Sequence, residues 1–122
     1  MTNLARTSPI RIAVFISGGG TTLRNLIEKI QSGDLSAEIA VVISSDQNAG
    51  GLSYAIQADI PTCVAQWNSS TTAADYRDVI FGVCRDADVE LVVMGGFLKH
   101  VLIPEDFEGR VINIHPSLIP AF

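Results

Sequence analysis

The feature that most constrains the fold is a continuous apolar segment that is followed almost at once by glycines. Residues 12–16 are all apolar, with β-branched and aromatic side chains, and glycines occupy positions 18–20. Such a run is typical of a strand that is buried on both faces of a parallel sheet. The apolar residues that come next are spaced as one stripe of a helix; they are Leu23, Leu26, Ile27 and Ile30. Gly33 stands where a helix C-terminus is often capped.

The same alternation of strand and helix continues along the chain. Further apolar strands are predicted at residues 39–44, 61–65, 91–94 and 111–115. A short helix is predicted over residues 51–58, with Leu52, Ala55 and Ile56 facing inward. A longer helix is predicted after the N-cap candidates at residues 69–72, with Tyr76, Val79, Ile80 and Val83 facing inward. We therefore expect an α/β fold with a Rossmann-like, doubly wound, mainly parallel sheet.

Composition and charge exclude several classes of protein. The chain has 122 residues, of which 48% are hydrophobic and 17% charged, so it is one domain at most and not a disordered chain. The net charge is −5, without a Lys/Arg cluster, so we expect no nucleic-acid partner. Cys63 and Cys84 lack the spacing of zinc ligands, so we expect no metal and a reduced compartment. The N-terminus lacks the apolar segment of a signal peptide or a membrane span, so a cytoplasmic protein without a membrane partner is expected. The oligomeric state stays open.

The first candidate site is the segment from Ser17 to Thr22, between the first strand and the first helix. Glycines let the backbone approach a ligand closely, and the free amides of a helix start favour an anion such as phosphate. The first half of a dinucleotide fingerprint is also present, with Asp46 as a possible ribose ligand, but Leu23 occupies the third glycine position. A glycine-rich turn without a ligand is the third interpretation.

The second candidate site is Asn113-Ile114-His115-Pro116. Side chains alternate along a strand, so Asn113 and His115 are expected on one face, at the carboxyl end where open α/β sheets place their ligands. An imidazole can transfer a proton near neutral pH, and a carboxamide can stabilise an oxyanion. A structural histidine is the alternative, and no nearby carboxylate is an obvious orienting partner.

The third candidate is the segment that follows the fourth strand. Phe97, Leu98, Val101 and Leu102 could line an apolar slot for a flat ring, or could simply pack under the loop. Lys99 and His100 are expected in solvent, where a cation could meet an anionic ligand tail.

Three segments together resemble one family. They are Ser17-Gly18-Gly19-Gly20-Thr21-Thr22-Leu23, Gly95-Gly96-Phe97-Leu98-Lys99 and Asn113-Ile114-His115-Pro116-Ser117-Leu118-Ile119-Pro120, and the resemblance extends over residues 11–122. They resemble the folate-dependent formyltransferases, and the glycine-rich loop resembles the glycinamide ribonucleotide branch, which acts in purine synthesis.

The resemblance implies a reaction in which 10-formyltetrahydrofolate gives its formyl group to the amine of 5′-phosphoribosylglycinamide. It implies that Asn113 and His115 are catalytic, with Asn113 holding the oxyanion of the tetrahedral intermediate and His115 transferring a proton. It also implies that the phosphate is bound by Gly19, Gly20, Thr21 and Thr22, and the folate by Phe97, Leu98, Lys99, His100 and Val101. A non-catalytic phosphate-binding module and another folate-dependent formyltransferase are the alternatives.

The chain departs from the family in sequence and in length. Gly19, Thr21 and Thr22 stand where the family usually has Asn, Ser and Asn, and Gly95 and Lys99 where it has Ala and Arg. Lysine offers a point charge instead of a planar fork. The family has roughly 200 residues, with a catalytic Asp after the position that corresponds to residue 122. We therefore expect an N-terminal tail over residues 1–10 and the N-terminal part of a formyltransferase domain over residues 11–122, with little turnover by the isolated chain.

Overall fold

The computed structural model describes residues 8–68, 71–95, 97 and 101–114. The strands are β1 (Ile10–Ile16), β2 (Ala37–Ser44), β3 (Thr62–Val64), β4 (Leu91–Gly95) and β5 (Val111–Ile114). The helices are α1 (Thr21–Gln31), α2 (Leu52–Gln57) and α3 (Ala73–Asp86), with a 3₁₀ turn at Glu105–Phe107. The strands are parallel and lie in the order β3-β2-β1-β4-β5. The predicted doubly wound α/β fold is confirmed.

The central strand β1 contributes to a separate apolar layer on each face of the sheet. Ala13 and Phe15 pack with the buried residues of α3, whereas Val14 and Ile16 pack with Leu23 of α1 and with α2. Residues 12–16 are at most 3% exposed. The prediction of a strand buried on both faces is therefore confirmed, and it explains why the run shows no polar alternation.

Two of the side chains that were predicted to face inward are instead in solvent. Ile56 is 65% exposed and Val79 is 55% exposed. In the six-residue helix α2, Ala55 packs against the sheet, and the next position is rotated away by about 100°. In α3 the buried positions are Tyr76, Ile80, Phe81 and Cys84, so the buried stripe is centred further round the helix than predicted.

The helix ends agree with the predicted signals. Thr72 is the N-cap of α3, and its Oγ1 accepts a hydrogen bond of 3.0 Å from the amide of Asp75. Gly33 has a φ of 85°, just after the C-cap Ser32 of α1. These caps satisfy amides and carbonyls that the helices leave open.

Strand β5 forms one edge of the sheet and is less buried than the other long strands. Ile112 is 47% exposed and Asn113 is exposed, while Val111 and Ile114 are half-buried. The described part of the strand ends at Ile114, so His115, its predicted last residue, lies outside the described residues. Within the described residues this strand pairs only with β4.

Candidate functional site at the carboxyl edge of the sheet

Two of the three predicted site segments, the glycine-rich loop and the segment that contains Asn113, lie at the edge of the sheet where the strands end. The glycine-rich loop follows the carboxyl end of β1, and Asn113 lies near the carboxyl end of β5. Because all strands run in parallel, these ends share one edge, with only β4 between β1 and β5. Adjacent strands lie about 4.8 Å apart, so the two segments are separated by about 10 Å. Ligands of open α/β sheets bind at such an edge.

The glycine-rich loop is open to solvent at its centre. Gly18 and Gly19 are exposed, and a Cβ added to either would meet nothing within 4 Å. Gly20, with a φ of 74°, is the N-cap of α1 and has no side chain with which to cap the helix. The first turn of α1 contains no acidic residue. The amides at the start of α1 therefore present a partial positive charge to the open loop, which favours an anion.

A second loop holds the glycine-rich loop in place. The amide of Gly51 donates a hydrogen bond of 2.9 Å to the carbonyl of Gly18. A Cβ on Gly20 would lie 2.6 Å from the Cα of Gly51, and a Cβ on Gly51 would lie 2.8 Å from the Cα of Gly20. Beside them, the Oγ atoms of Ser17 and Ser45 are 2.6 Å apart. This contact was not predicted from the sequence, where its only signal is the pair of glycines at positions 50 and 51, after the second strand.

The residues predicted to bind phosphate divide into open and packed positions. Gly19 and Thr21 are exposed, whereas Gly20 is buried and Thr22 is 8% exposed. The Thr22 side chain packs against Gly95 at the end of β4: a Cβ on Gly95 would lie 2.7 Å from the Thr22 Cβ. Thr22 therefore joins the start of α1 to the neighbouring strand.

The catalytic candidate Asn113 is exposed and lies near the carboxyl end of β5. It is the register partner of Met94. Val111, two residues earlier, packs into the layer that contains α3, and so alternation puts the Asn113 side chain on that face of the sheet, opposite the face that α1 covers; the two site segments share the carboxyl ends of the strands but not one face. The other catalytic candidate, His115, lies outside the described residues, so its expected place beside Asn113 stays a prediction.

The predicted folate segment is only partly described. Phe97 is 6% exposed, with its ring centroid 5.3 Å from that of Phe15 and 6.4 Å from that of Tyr76. Its side chain therefore belongs to the core and is not free to line a slot, because these rings already cover it. Val101 is half-buried against the same layer. Leu98, Lys99 and His100 lie outside the described residues.

Two ionisable groups near this layer have a structural explanation. Burial raises the pKa of Tyr76 to about 12, with a smaller contribution from Cys63, and the Tyr76 hydroxyl donates a hydrogen bond of 2.6 Å to the carbonyl of Ala65. The hydrogen bonds from Arg85 lower the pKa of Asp106, through contacts of 2.8 and 2.9 Å. Asp106 therefore joins α3 to the 3₁₀ turn.

Three grooves in the described part of the chain are lined by residues outside the candidate site. One of about 310 Å³ and one of about 350 Å³ adjoin α1 and share Ile27, Gln31 and Ala58, and a third lies beside α3. The described residues at the candidate site, Gly18, Gly19 and Asn113, are exposed. Among the described residues, no helix has the length and apolar character needed to cross a membrane, and His, Cys, Asp and Glu side chains form no group of three that could hold a metal.

Comparison with known proteins identifies the family. The formyl transferase family model matches residues 10–122. Phosphoribosylglycinamide formyltransferase of Haemophilus influenzae is 40% identical over 115 residues, which cover 92% of this chain and 54% of that protein. The phosphoribosylglycinamide formyltransferase structure from Coxiella burnetii has a TM-score of 0.81 at 37% identity, covering 94% of this chain and 55% of that chain. The glycinamide ribonucleotide transformylase 1 structure from Symbiobacterium toebii has a TM-score of 0.86 at 31% identity, covering 100% and 58%. This chain spans about half the length of these relatives, and it belongs to the formyl transferase family.

Proposed function

We propose that this chain takes part in formyl transfer from 10-formyltetrahydrofolate to the amine of 5′-phosphoribosylglycinamide, a step of purine synthesis. The observation that carries the proposal is the shared sheet edge, where the open amides after β1 lie two strands from the exposed Asn113. The names of the similar proteins support the same reaction. The two reduced cysteines fit a reaction in the cytoplasm.

The phosphate of the ribonucleotide would bind at the open part of the glycine-rich loop. The amides at the start of α1 and the Thr21 hydroxyl are the donors in reach, because Gly18, Gly19 and Thr21 are exposed. Thr22 is largely buried, and we therefore assign it to the floor of this site and not to its open surface. Gly20, also buried, contributes through the backbone conformation that starts the helix.

The reacting end of the substrate would lie near β5. The separation of about 10 Å between the loop and Asn113 leaves room for a ribose between a phosphate and an amine. As the amine attacks the formyl carbon, the formyl oxygen gains negative charge. The side-chain carboxamide N–H of Asn113 can donate a hydrogen bond to that oxygen. The tetrahedral intermediate would then collapse with cleavage of the bond between the formyl carbon and the folate nitrogen, and His115 would carry the proton from the attacking amine to that leaving nitrogen, as the family resemblance implies. The folate would lie beside Leu98, Lys99, His100 and Val101.

The packing of α1 bears on the dinucleotide alternative. Leu23 is fully buried against the sheet, where the third glycine of a dinucleotide fingerprint would allow closer packing of helix and strand. Asp46, the candidate ribose ligand, accepts a hydrogen bond of 2.8 Å from the amide of Asn48 in its own loop. These observations favour a single phosphate group over a pyrophosphate.

Calorimetric titration separates the proposal from its alternatives. We expect heat of binding with phosphoribosylglycinamide and with a folate analogue but not with NAD. Binding of the ribonucleotide alone would favour a phosphate-binding module without catalysis, and binding of NAD would contradict the proposal.

A matched pair of variants tests the position of the phosphate. Thr21→Val removes one exposed hydroxyl, and we expect the ribonucleotide to bind about fivefold to tenfold more weakly, as for a lost hydrogen bond of about 1 kcal/mol. Thr62→Val makes the same change on β3, at the far edge of the sheet, and should bind like the unchanged chain. Equal affinities for the two variants would refute the assignment of the loop.

A further inference from the structure

The open part of the glycine-rich loop depends on other parts of the chain for its conformation. Gly18 and Gly19 have no side chain to pack, and a Cβ added to either would meet nothing within 4 Å. Within the described residues, the amides of residues 18–23 donate to no backbone carbonyl. A segment of this kind has many accessible conformations unless its ends are held, and an anion that orders it must overcome the lost entropy.

Two serine hydroxyls hold the first end of this loop. Ser17 directly precedes Gly18, and its Oγ lies 2.6 Å from the Oγ of Ser45, which follows β2. Both side chains are half-buried. The amide of Ser45 also donates a hydrogen bond of 3.1 Å to the carbonyl of Ile16. Two hydrogen bonds therefore attach Ser45 to the residues just before the glycines.

The position of Ser45 is itself fixed by the residues on either side of it. Ser44 is fully buried, and its Oγ donates a hydrogen bond of 2.7 Å to the carbonyl of Asp46 and accepts one of 3.1 Å from the Asp46 amide. This closed turn holds the backbone of Ser45 between its two ends. The Ser45 hydroxyl is therefore presented to Ser17 from a rigid support.

We propose that Ser17 and Ser45 are a positioning pair, in which the hydrogen bond between the two hydroxyls keeps the glycine-rich loop in the conformation that presents its amides to an anion. The pair acts through the order of the loop and not through contact with the ligand. This inference rests on the proposed function and adds to it two residues that control the affinity for phosphate.

The size of the effect follows from the strength of one hydrogen bond. A hydrogen bond between neutral groups typically changes an equilibrium constant by about twofold to tenfold. When one hydroxyl is lost, the fraction of chains with an ordered loop falls, and the apparent dissociation constant rises in inverse proportion. The contact between Gly20 and Gly51 at the other end of the loop remains. We therefore expect weaker binding by about threefold to tenfold and not its abolition.

The experiment removes each hydroxyl alone and both together. The variants are Ser17→Ala, Ser45→Ala and the double variant, with Ser45→Thr and Ser45→Asn as variants that keep a hydrogen-bonding group. Ser53→Ala is the matched control, because it removes a hydrogen bond of 2.9 Å to the carbonyl of Gly50 and so leaves the link between the two loops intact. The dissociation constant of inorganic phosphate is measured by NMR titration of the Gly18 and Gly19 amides. Backbone order parameters of the same two glycines are measured without ligand.

We expect Ser45→Ala to weaken phosphate binding by about threefold to tenfold and to lower the order parameters of Gly18 and Gly19. Ser53→Ala should change neither quantity. The loss in the double variant should be clearly smaller than the product of the two single losses, because the second substitution has no shared hydrogen bond left to break. At least one of Ser45→Thr and Ser45→Asn should bind phosphate like the unchanged chain.

Four results would overturn the inference. They are unchanged phosphate binding in Ser45→Ala, losses that multiply in the double variant, an equal loss in Ser53→Ala, and weak binding in both variants that keep a hydrogen-bonding group. Should Ser17→Ala not fold, the variants at Ser45 and Ser53 still decide. If the unchanged chain binds neither phosphate nor the ribonucleotide, the proposed function fails together with this inference. If it binds phosphate and Ser45→Ala binds equally well, only the positioning pair is wrong.

Discussion

Gly51 contacts Gly20, whereas its neighbour Gly50 has open space around it. We therefore expect alanine at Gly51 to lower the free energy of unfolding and alanine at Gly50 not to lower it. Gly51→Ala places a methyl group 2.8 Å from the Cα of Gly20 and 2.9 Å from the Cδ1 of Ile16. The Gly20 neighbour is backbone, so it cannot yield by changing rotamer. Gly50→Ala is the matched control, because a Cβ at Gly50 meets nothing within 4 Å.

The magnitude follows from these distances. To reach 3.4 Å, the Gly51 methyl and the Gly20 Cα must separate by about 0.6 Å, which also strains the hydrogen bond of 2.9 Å from Gly51 to Gly18. Overpacking of this kind costs about 1–3 kcal/mol. Alanine also lowers the conformational entropy of the unfolded chain, which offsets about 0.4–1 kcal/mol of this overpacking cost, because Gly51 already has a helical φ of −61° in the folded chain. We therefore expect Gly51→Ala to be less stable than Gly50→Ala by roughly 2 kcal/mol.

Urea unfolding of both variants, followed by circular dichroism, measures this difference. The midpoint should fall in Gly51→Ala at an unchanged slope, and it should stay level or rise in Gly50→Ala. Ribonucleotide binding should weaken in Gly51→Ala alone, since only there is the glycine-rich loop displaced. Equal midpoints together with equal affinities would refute the argument that backbone contact fixes the loop.

Three further predictions concern the helices and the buried thiol. Burial raises the pKa of Cys84 to about 12. The stability that the buried thiol contributes should therefore be fully present below pH 9 and be lost as the pH rises from 9 toward 12. Denaturant titrations at each pH should show a smaller loss of stability in Cys84→Ala. Because Arg85 lowers the pKa of Asp106 below its ordinary value of 3.8, the stability from that pair should vanish as the pH falls below this value, and Asp106→Asn should unfold with a weaker acid dependence. Thr72→Ala removes the cap of α3 and should cost about 1 kcal/mol in urea unfolding, whereas Thr72→Ser should cost less; equal losses would contradict the cap.

Hydrophobic spacing was sufficient to predict the fold. Residues 12–16 are continuous in their apolar character because both faces of β1 are covered, and this is visible without any long-range information. The errors at Ile56 and Val79 arise because an apolar residue beside the buried stripe looks the same in sequence as one within it. Which neighbour is buried depends on how each helix is rotated on the sheet, and tertiary packing decides this.

The candidate site was predictable in its location but not in its internal contacts. The strand ends placed the glycine-rich loop and Asn113 on one edge, because parallel topology brings all carboxyl ends together. The burial of Thr22 was not predicted, since it depends on Gly95. For Phe97 the sequence left two interpretations open, and the rings of Phe15 and Tyr76 decide for packing under the loop. These partners are distant in sequence, and no local pattern marks them.

The glycines of this edge fall into two physical classes, and the difference bears on where the proposed phosphate would lie. Gly20, Gly51 and Gly95 are close to other parts of the folded chain, where a Cβ would meet an atom at 2.6–2.8 Å. Gly18 and Gly19 have neither a positive φ nor a neighbour within 4 Å of an added Cβ, so the described fold does not require glycine at either position. A side chain there would extend into the open space in front of the α1 amides. This open space is where the proposed phosphate would lie, because the adjoining amides favour an anion.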